Sequence, residues 1–509
     1  MENAETALRH GSFIELRLDW VNEPREVLPL IPLLLKRKAG PKAKDTPLLQ
    51  ATCRRMQNGG LYRGSVADQI EILINAAAAG CRIVDLEVES ALIAREQAVA
   101  VLRRDALLIV SYHDFVSMPV IDKAMRQLLR FPADYYKLVG TANRQSDNLI
   151  ALDFLQSVKK RPGEQGKWIA FCMGDAGVPS RVLALSRGSA FLYASCPQKA
   201  PSLLAAPGQI DSDKLLNDYR ADKLNRRTAI FGLLGNPVKH SLGAAIHNAS
   251  FRAKKIDAVY LPLLASDLKD FRKAAAKYPL SGFSVTIPHK EAILRMADKA
   301  DKTTLKTGAA NTVRIHRGKW EAINTDIDGI LVPLRHAYGL SENDTLPPDF
   351  RAVVVGTGGA ARGAVIALQI LRCPNIFVAG RNHAKAKKLA REKGGQAITV
   401  ASLTDENFDL LIHATPVGMW PQTEESFLQA DQINASTVFD LIYNPVETRL
   451  LKIARQLGCR TISGMEMFLV QAAGQFEHWT GEKAPLPLMR RVAMDELKQF
   501  QLQQQNAQR

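Results

Sequence analysis

Val353-Val354-Val355-Gly356-Thr357-Gly358-Gly359-Ala360-Ala361-Arg362 decides the fold of the C-terminal half. An unbroken β-branched run reads as a buried strand, and the glycines that follow read as a tight turn into a helix. Gly356, Gly358 and Ala361 occupy the G-x-G-x-x-G/A positions, with Gly359 and Ala360 between them. Small residues there let a pyrophosphate approach the backbone and rest on the helix N-terminus. After the next strand, 376–379, come Gly380-Arg381-Asn382 and then Lys385 and Lys387, where an NAD-binding chain usually carries an acidic residue for the ribose 2′-hydroxyl. Cations suit a 2′-phosphate, so Arg381, Asn382 and Lys385 point to NADP.

Upstream of this turn the rhythm changes twice. Asn343-Asp344-Thr345-Leu346-Pro347-Pro348 is a turn-rich joint. Before it, from the strand at 229–234, lies another α/β segment, and before that a polar, basic stretch, 209–227, that reads as a helical linker. From residue 13 to about 193, short β-type runs alternate with helical segments such as 65–79 and 119–130. The strand candidates are 13–18, 48–53, 83–88, 107–112, 135–139, 168–173 and 190–193. Repeated β-then-α units imply parallel strands, and a (β/α)8 barrel of the TIM type closes them. Seven candidates stand where a full barrel needs eight, and the chain opens within what reads as a helix, so the first strand is the one missing: either the true start lies upstream, or the barrel is open or patched there. The expected domains are residues 1–210, a linker at 211–228, then 229–340 and 341–509.

The chain has 509 residues, 46% hydrophobic and 23% charged, which implies a globular protein of several domains. No apolar run reaches the length of a membrane span, and the first ten residues lack a signal-peptide core. Six cysteines stand singly, without metal-site spacing, so no metal is expected and a reducing cytoplasm fits. The net charge of +16 is spread along the chain apart from short runs such as 36–44, with no nucleic-acid-binding signature. It reads as a solvated surface that attracts anionic metabolites. Oligomeric state is left open.

Four further motifs precede the glycine turn in order: Gly235-Asn236-Pro237-Val238-Lys239-His240-Ser241, Ser284-Val285-Thr286-Ile287-Pro288-His289-Lys290, Gly308-Ala309-Ala310-Asn311-Thr312 and Asn324-Thr325-Asp326. This succession resembles the shikimate dehydrogenase family, a substrate domain followed by a Rossmann domain. The resemblance implies that Lys290 and Asp326 are the catalytic pair. It places Ser241, Thr286, Asn311, Thr325, Tyr443, Gln471 and Gln475 around the substrate, and Thr415 and Gly464 with the cofactor. An ammonium held by a carboxylate can polarise a ring ketone and protonate its oxygen as hydride reaches carbon. One position departs from the family: Gly243 stands where a second serine helps hold the substrate carboxylate. Quinate-oxidising relatives use glycine there, so a quinate/shikimate dehydrogenase is the alternative reading.

Glu15-Leu16-Arg17-Leu18-Asp19, Thr52-Cys53-Arg54, Val84-Asp85-Leu86-Glu87, Ser111-Tyr112-His113-Asp114, Lys137 and Ala206-Pro207-Gly208-Gln209 are similar, in that order, to type I 3-dehydroquinate dehydratase. Lys137 lies in an apolar run, where burial favours the neutral, nucleophilic amine that forms a Schiff base. His113, one βα unit earlier, is the expected general acid/base, with Glu87 and Asp114 as candidates to orient it. Glu15, Arg17, Arg54 and Arg181, expected in or just after strands, would bind the substrate's carboxylate and hydroxyls. Gln209 would belong to a closing loop, where Ala205 replaces the usual Ser or Thr. The implied substrates are 3-dehydroquinate, 3-dehydroshikimate and shikimate. A metabolite sensor built from inactive copies of these domains is a rival of another class, but it would have lost Lys137, His113, Lys290 or Asp326, and all four are present.

Overall fold

The protein is described here from a computed structural model, which covers residues 2–37, 46–196, 208–238 and 241–507. Most of the basic run 36–44, Ala205, Ala206 and Pro207 of the closing loop, and Lys239 and His240 lie outside the described residues. Three six-stranded sheets account for the strands.

The first sheet contains β1 (Phe13–Arg17), β2 (Leu48–Thr52), β3 (Ile83–Glu87), β4 (Leu107–His113), β5 (Tyr135–Thr141) and β6 (Trp168–Met173). The strands are parallel and lie in sequence order. Helices such as Val66–Ala78 and Gln145–Lys159 cover the outside. β3 and β6 are buried at every position, as strands of a sheet covered on both faces must be. Helix Val66–Ala78 starts where it does because Ser65 and Asp68 form a reciprocal capping box.

The sheet is barrel-like and open, in keeping with the missing strand, with β1 and β6 at its edges. Residues 190–193 do not extend it: Ala190 donates its N–H to the Trp168 carbonyl at 2.8 Å, and then the chain leaves β6. The reason is aromatic. Phe191 packs edge-on against Phe13 (5.2 Å) and Tyr135 (5.3 Å), and the Tyr193 hydroxyl donates to Gln50 Oε1 across the interior. Helix Glu2–His10 packs beside β1, and with Phe191–Cys196 it encloses a cavity of about 540 Å³ at the open edge.

The second sheet holds β7 (Ala229–Gly235), β8 (Ala258–Leu264), β9 (Gly282–Val285), β10 (Lys299–Ala300), β11 (Thr312–His316) and β12 (Lys319–Ile323), in the order β10-β12-β11-β9-β7-β8. β11 runs antiparallel to both neighbours. Its hairpin with β12 turns through Arg317 and Gly318, both at positive φ, the geometry that matches strand twist. The third sheet holds β13 (Arg351–Val355), β14 (Asn375–Ala379), β15 (Gln396–Ala397), β16 (Phe408–His413), β17 (Ala435–Asp440) and β18 (Arg460–Ile462). Its order, β15-β14-β13-β16-β17-β18, is all parallel and doubly wound, and the direction of winding reverses between β13 and β16. Dinucleotides bind at such a reversal.

Two packing features depart from a string of separate domains. Helices Gly464–Thr480 and Leu486–Ala507 follow the third sheet in sequence but complete the core of the second, where Leu469, Phe476, Met489 and Leu497 pack on Phe231, Ile246 and Tyr260. The division at 341 therefore separates these helices from the core they fill. Leu149, Leu152, Val182 and Leu183 of the first unit share a core with Val259, Leu261 and Ala274 of the second, joined by Leu215 and Ala221 of the 211–228 stretch. Gln145 Nε2 donates to the Leu264 carbonyl at 2.7 Å, and Asp270 accepts the Ser146 N–H at the start of helix Gln145–Lys159. The barrel-like unit is thus docked on the second sheet.

Candidate functional sites

Polar side chains alternate along the strands of the first sheet. Glu15 and Arg17, Gln50, Thr52 and Arg54, Asp85 and Glu87, and Ser111 and His113 are each two apart, with Leu16, Ala51, Cys53, Leu86 and Tyr112 between them. Period two puts each set on one face. Register then aligns Glu87, Ser111 and Lys137 in one row across β3, β4 and β5.

Lys137 is 5% exposed. Its Nζ donates to Asp85 Oδ2 at 3.1 Å and lies 3.9 Å from the centre of the Tyr193 ring. Burial pushes the ammonium's pKa below its ordinary value, against the opposing pull of Asp85. Burial raises the Asp85 carboxyl too, but Lys137 and Arg54 outweigh it and hold the group below the usual range. Asp85 Oδ1 accepts from Ser111 Oγ at 2.6 Å and Arg54 Nη2 at 3.3 Å. A buried carboxylate therefore anchors a lysine whose charged form is disfavoured by burial. His113 is driven well below its usual pKa by burial, reinforced by the positive charges of Arg54, Lys137 and Arg17. It is neutral near pH 7 and able to accept a proton.

The other expected residues fall unevenly. Glu15 Oε1 accepts from Thr52 Oγ1 (2.7 Å) and Gln50 Nε2 (3.2 Å). Arg17 is held in a fork by Asp19 at 2.9 and 2.7 Å. Glu87 accepts from the Arg55 N–H at 2.8 Å and Gln69 Nε2 at 2.6 Å, so one oxygen serves the loop after β2 and the other the helix Val66–Ala78. Asp114 Oδ1 caps the turn through the Val116 and Ser117 N–H groups, both 2.9 Å away. Arg181 is not at a strand end: it lies in helix Val178–Arg187, 4.7 Å over the Phe171 ring, with burial pushing its pKa down to about 10. Gln209 lines the open-edge cavity. Sequence reasoning does not single out Asp85, Ser111 and Tyr193. The period-two polar face is the available signal for the first two; Tyr193 reaches the site only because its segment leaves the sheet.

The second site lies between the second and third sheets. Lys290 starts helix Lys290–Met296 and Asp326 starts helix Asp326–Tyr338, and their side chains meet at 2.6 Å. Asn311 Nδ2 donates to Asp326 Oδ1 at 2.8 Å, to Thr325 Oγ1 at 3.0 Å and to Gln471 Oε1 at 3.4 Å. Gln475 Nε2 donates to Gln471 Oε1 at 2.8 Å, as expected of residues four apart on a helix. Tyr443 stacks on Phe468, whose carbonyl accepts from Gln471. Ser241 Oγ accepts the Gly243 N–H, and Thr286 packs at Gly235. Lys290, Asp326, Asn311, Thr325, Gln471 and Gln475 form one connected network.

Behind it, His247 is buried 4.6 Å from the Tyr260 ring, with Gln475 near it. Burial pushes its pKa down to about 4, which Gln475 offsets only in part. Unfolded histidine titrates near 6.5, so below that pH the unfolded chain binds a proton that the folded chain refuses. This stability is complete above about 6.5 and is lost as pH falls toward 4, by about 3 kcal/mol. In His247→Phe, the fall in thermal midpoint between pH 6.5 and 4.5 should be shallower than in wild type. Equal slopes would count against this assignment.

At the glycine turn, Gly356 has φ +138°, and a Cβ there would sit 2.7 Å from the Ala414 carbonyl. A Cβ at Gly358 or Gly359 meets nothing within 4 Å, so the start of helix Gly359–Ile370 is open to a ligand, while Ala361 is buried. Arg381 and Lys385 are exposed beyond β14. Asn382 caps helix His383–Lys393, accepting the Lys385 N–H at 3.0 Å. Gly464 serves packing: a Cβ there would lie 2.4 Å from the Ile442 carbonyl. An open helix start with cations one strand away fits a 2′-phosphorylated dinucleotide. Among the described residues, no group of three or more His, Cys, Asp or Glu side chains could hold a metal ion, and no helix is long and apolar enough to cross a membrane.

Residues 1–226 match the family described as Type I 3-dehydroquinase, 233–313 the shikimate dehydrogenase substrate binding domain, 345–445 the Shikimate / quinate 5-dehydrogenase family, and 464–494 the Shikimate 5′-dehydrogenase C-terminal domain. The bifunctional 3-dehydroquinate dehydratase/shikimate dehydrogenase of Arabidopsis thaliana, described as chloroplastic, is 30% identical over 506 residues, covering 95% of this chain and 80% of that protein. The NADP(+) shikimate dehydrogenase of Methanopyrus kandleri is 38% identical over 289 residues, 54% of this chain and 98% of its own. A crystal structure of a shikimate dehydrogenase in complex with NADP+ superposes with a TM-score of 0.50 at 34% identity, covering 54% of this chain and 97% of that one. With both catalytic halves matched in order and one relative spanning nearly the whole chain, this protein belongs to the bifunctional 3-dehydroquinate dehydratase/shikimate dehydrogenase family.

Proposed function

We propose that Lys137 and His113 carry out the dehydration, and that Lys290 and Asp326 carry out the reduction, of a two-step conversion of 3-dehydroquinate to shikimate. The chain is both a 3-dehydroquinate dehydratase and an NADP-dependent shikimate dehydrogenase. The observation that carries the residue assignment is the buried Lys137–Asp85 pair together with neutral His113.

In the first step the Lys137 amine attacks the ketone carbon; the carbonyl oxygen leaves as water with one proton from the amine and the one the ammonium had given up, leaving a protonated imine. His113 accepts the proton from the adjacent carbon, and the electron pair moves toward the imine nitrogen. That pair then expels the β-hydroxyl, which takes a proton from His113 and leaves as water. Hydrolysis of the imine restores Lys137 and frees the enone product. Asp85 stabilises the cationic nitrogen throughout, and Arg54 and Arg17 supply positive charge for the substrate carboxylate.

When bound, NADPH would supply the hydride of the second step. Lys290 donates its proton to the ketone oxygen, and Asp326 holds the ammonium in place. Asn311 fixes Asp326 in turn, while Gln471 and Gln475 are available for ring hydroxyls. Arg381 and Lys385 would hold the cofactor's 2′-phosphate. Arg381→Ala should raise the KM for NADPH about tenfold, the cost of one hydrogen bond to a charged group, and leave that for NADH nearly unchanged. Equal effects on both cofactors would remove Arg381 from that role.

Trapping with borohydride and 3-dehydroquinate, followed by peptide mass spectrometry, tests the first site. An NADPH-consumption assay started with 3-dehydroquinate alone tests the sequence of steps. Adduct on Lys137 with NADPH oxidised establishes both. Absence of adduct, with NADPH still oxidised by added 3-dehydroshikimate, would leave only the dehydrogenase.

Gly243 favours a second substrate. A Cβ there would lie 3.2 Å from Ser241 Oγ and 3.3 Å from the Tyr260 hydroxyl, so a side chain would crowd both hydroxyls, and glycine keeps them clear for a substrate with an extra hydroxyl such as quinate. Turnover of shikimate and quinate should be compared with NADP and NAD. Shikimate with NADP is expected to be preferred, and a strong quinate preference would reverse the reading. The separate thiols and the metabolite substrates favour a cytoplasmic setting for this activity.

A further inference from the structure

A buried chain of hydrogen bonds under the crevice of the third sheet has no part in the chemistry above. His413 ends β16 and Asp440 ends β17, and the two are register partners. Both are fully buried. His413 Nδ1 lies 2.9 Å from Asp440 Oδ1, and His413 Nε2 lies 2.6 Å from Thr415 Oγ1. Asp440 also accepts from Thr448 Oγ1 at 2.5 Å and from the Ile442 N–H at 3.1 Å. A carboxylate can only accept, so Nδ1 carries a proton and donates it to Asp440. Nε2 and the Thr415 hydroxyl share the second hydrogen bond, which fixes the hydroxyl's position whichever of them donates. The Val417 N–H reaches the same hydroxyl oxygen at 3.3 Å.

Thr415 is half-buried in the loop after β16, and the Ala414 carbonyl in the same loop abuts Gly356 of the glycine turn. β16 flanks β13 on the side away from β14, so a dinucleotide with its 2′-phosphate toward Arg381 directs its other half over β16. We propose that His413 is a positioning residue for the cofactor: clamped between Asp440 and Thr415, it fixes the Thr415 hydroxyl at the nicotinamide half of the crevice. This rests on the NADP assignment above. A carboxamide, which both donates and accepts, is the group such a fixed hydroxyl would take.

The test is calorimetric titration of the whole protein with NADP+ and with 2′-phospho-ADP-ribose, which lacks the nicotinamide. His413→Asn retains a donor for Asp440 but cannot also reach Thr415. It should weaken NADP+ binding roughly two- to tenfold, the effect of one hydrogen bond, with little change for 2′-phospho-ADP-ribose. Thr415→Val should weaken NADP+ similarly, and adding His413→Asn to it should cost nothing more. Dehydratase activity and the thermal midpoint report folding in every variant. Additive losses, equal losses for both ligands, or unchanged NADP+ affinity would overturn the proposal. A wild-type protein that does not bind NADP+ at all would overturn the cofactor assignment on which it stands.

Discussion

Lys137→Ala should lower dehydratase turnover by on the order of 10⁴-fold or more and leave the dehydrogenase of the same chain unchanged. The size follows from the chemistry. Without the amine there is no imine to accept the electron pair, and His113 would have to remove a proton beside an unactivated ketone. The residual rate would come from binding and from His113 alone. Folding is expected to survive, because Asp85 keeps Arg54 and Ser111 as partners when the ammonium is gone. The built-in control is the second activity: NADPH oxidation with added 3-dehydroshikimate should match wild type, whereas 3-dehydroquinate should no longer start it. Asp85→Asn would keep the amine but remove the anion that supports the cationic imine, so its loss should be smaller and fall on kcat more than on KM. Near-wild-type turnover in Lys137→Ala would rule out covalent catalysis at this lysine.

Much of this site is legible in the amino-acid sequence, for a physical reason. Parallel strands buried on both faces are written as apolar runs, and the site residues follow those runs or interrupt them at period two, so Lys137, His113 and Arg54 stand out. The glycine turn is equally local, since Gly356 must accept positive φ against a carbonyl. What sequence does not reveal depends on contacts between distant segments. The run 190–193 has every mark of a strand, yet Phe191 gains more by packing on Phe13 and Tyr135 than by extending the ladder. The helices after 464 carry apolar stripes that do not say which sheet they cover; Trp479, donating to the Val313 carbonyl, settles it for the second. Motif order makes Glu87 a natural partner for His113, but Gln69, from the helix outside, claims it. Asp85 is visible as a residue and invisible as a partner, since only register places it under Lys137.

The second large effect is expected at Lys290. Lys290→Ala should reduce dehydrogenase kcat by about 10²- to 10⁴-fold, the usual weight of a positioned general acid, with a smaller change in KM. The half-exposed ammonium leaves no buried orphan behind, because Asp326 still accepts from Asn311 at 2.8 Å. Supplied with 3-dehydroquinate, this variant should accumulate 3-dehydroshikimate, the mirror image of the Lys137 result. Asp326→Asn keeps an acceptor for Asn311 but removes the charge that holds Lys290, so it too should lower kcat. If the two residues act as one unit, the double variant will be scarcely slower than the worse single variant. Additive losses would mean that Asp326 contacts the substrate independently of the lysine. A fully active Lys290→Ala would require another proton donor, and among the described residues no other ammonium is in contact with Asp326. A rate restored by small primary amines would identify the missing group as the proton source, because only a transferable proton can be supplied that way.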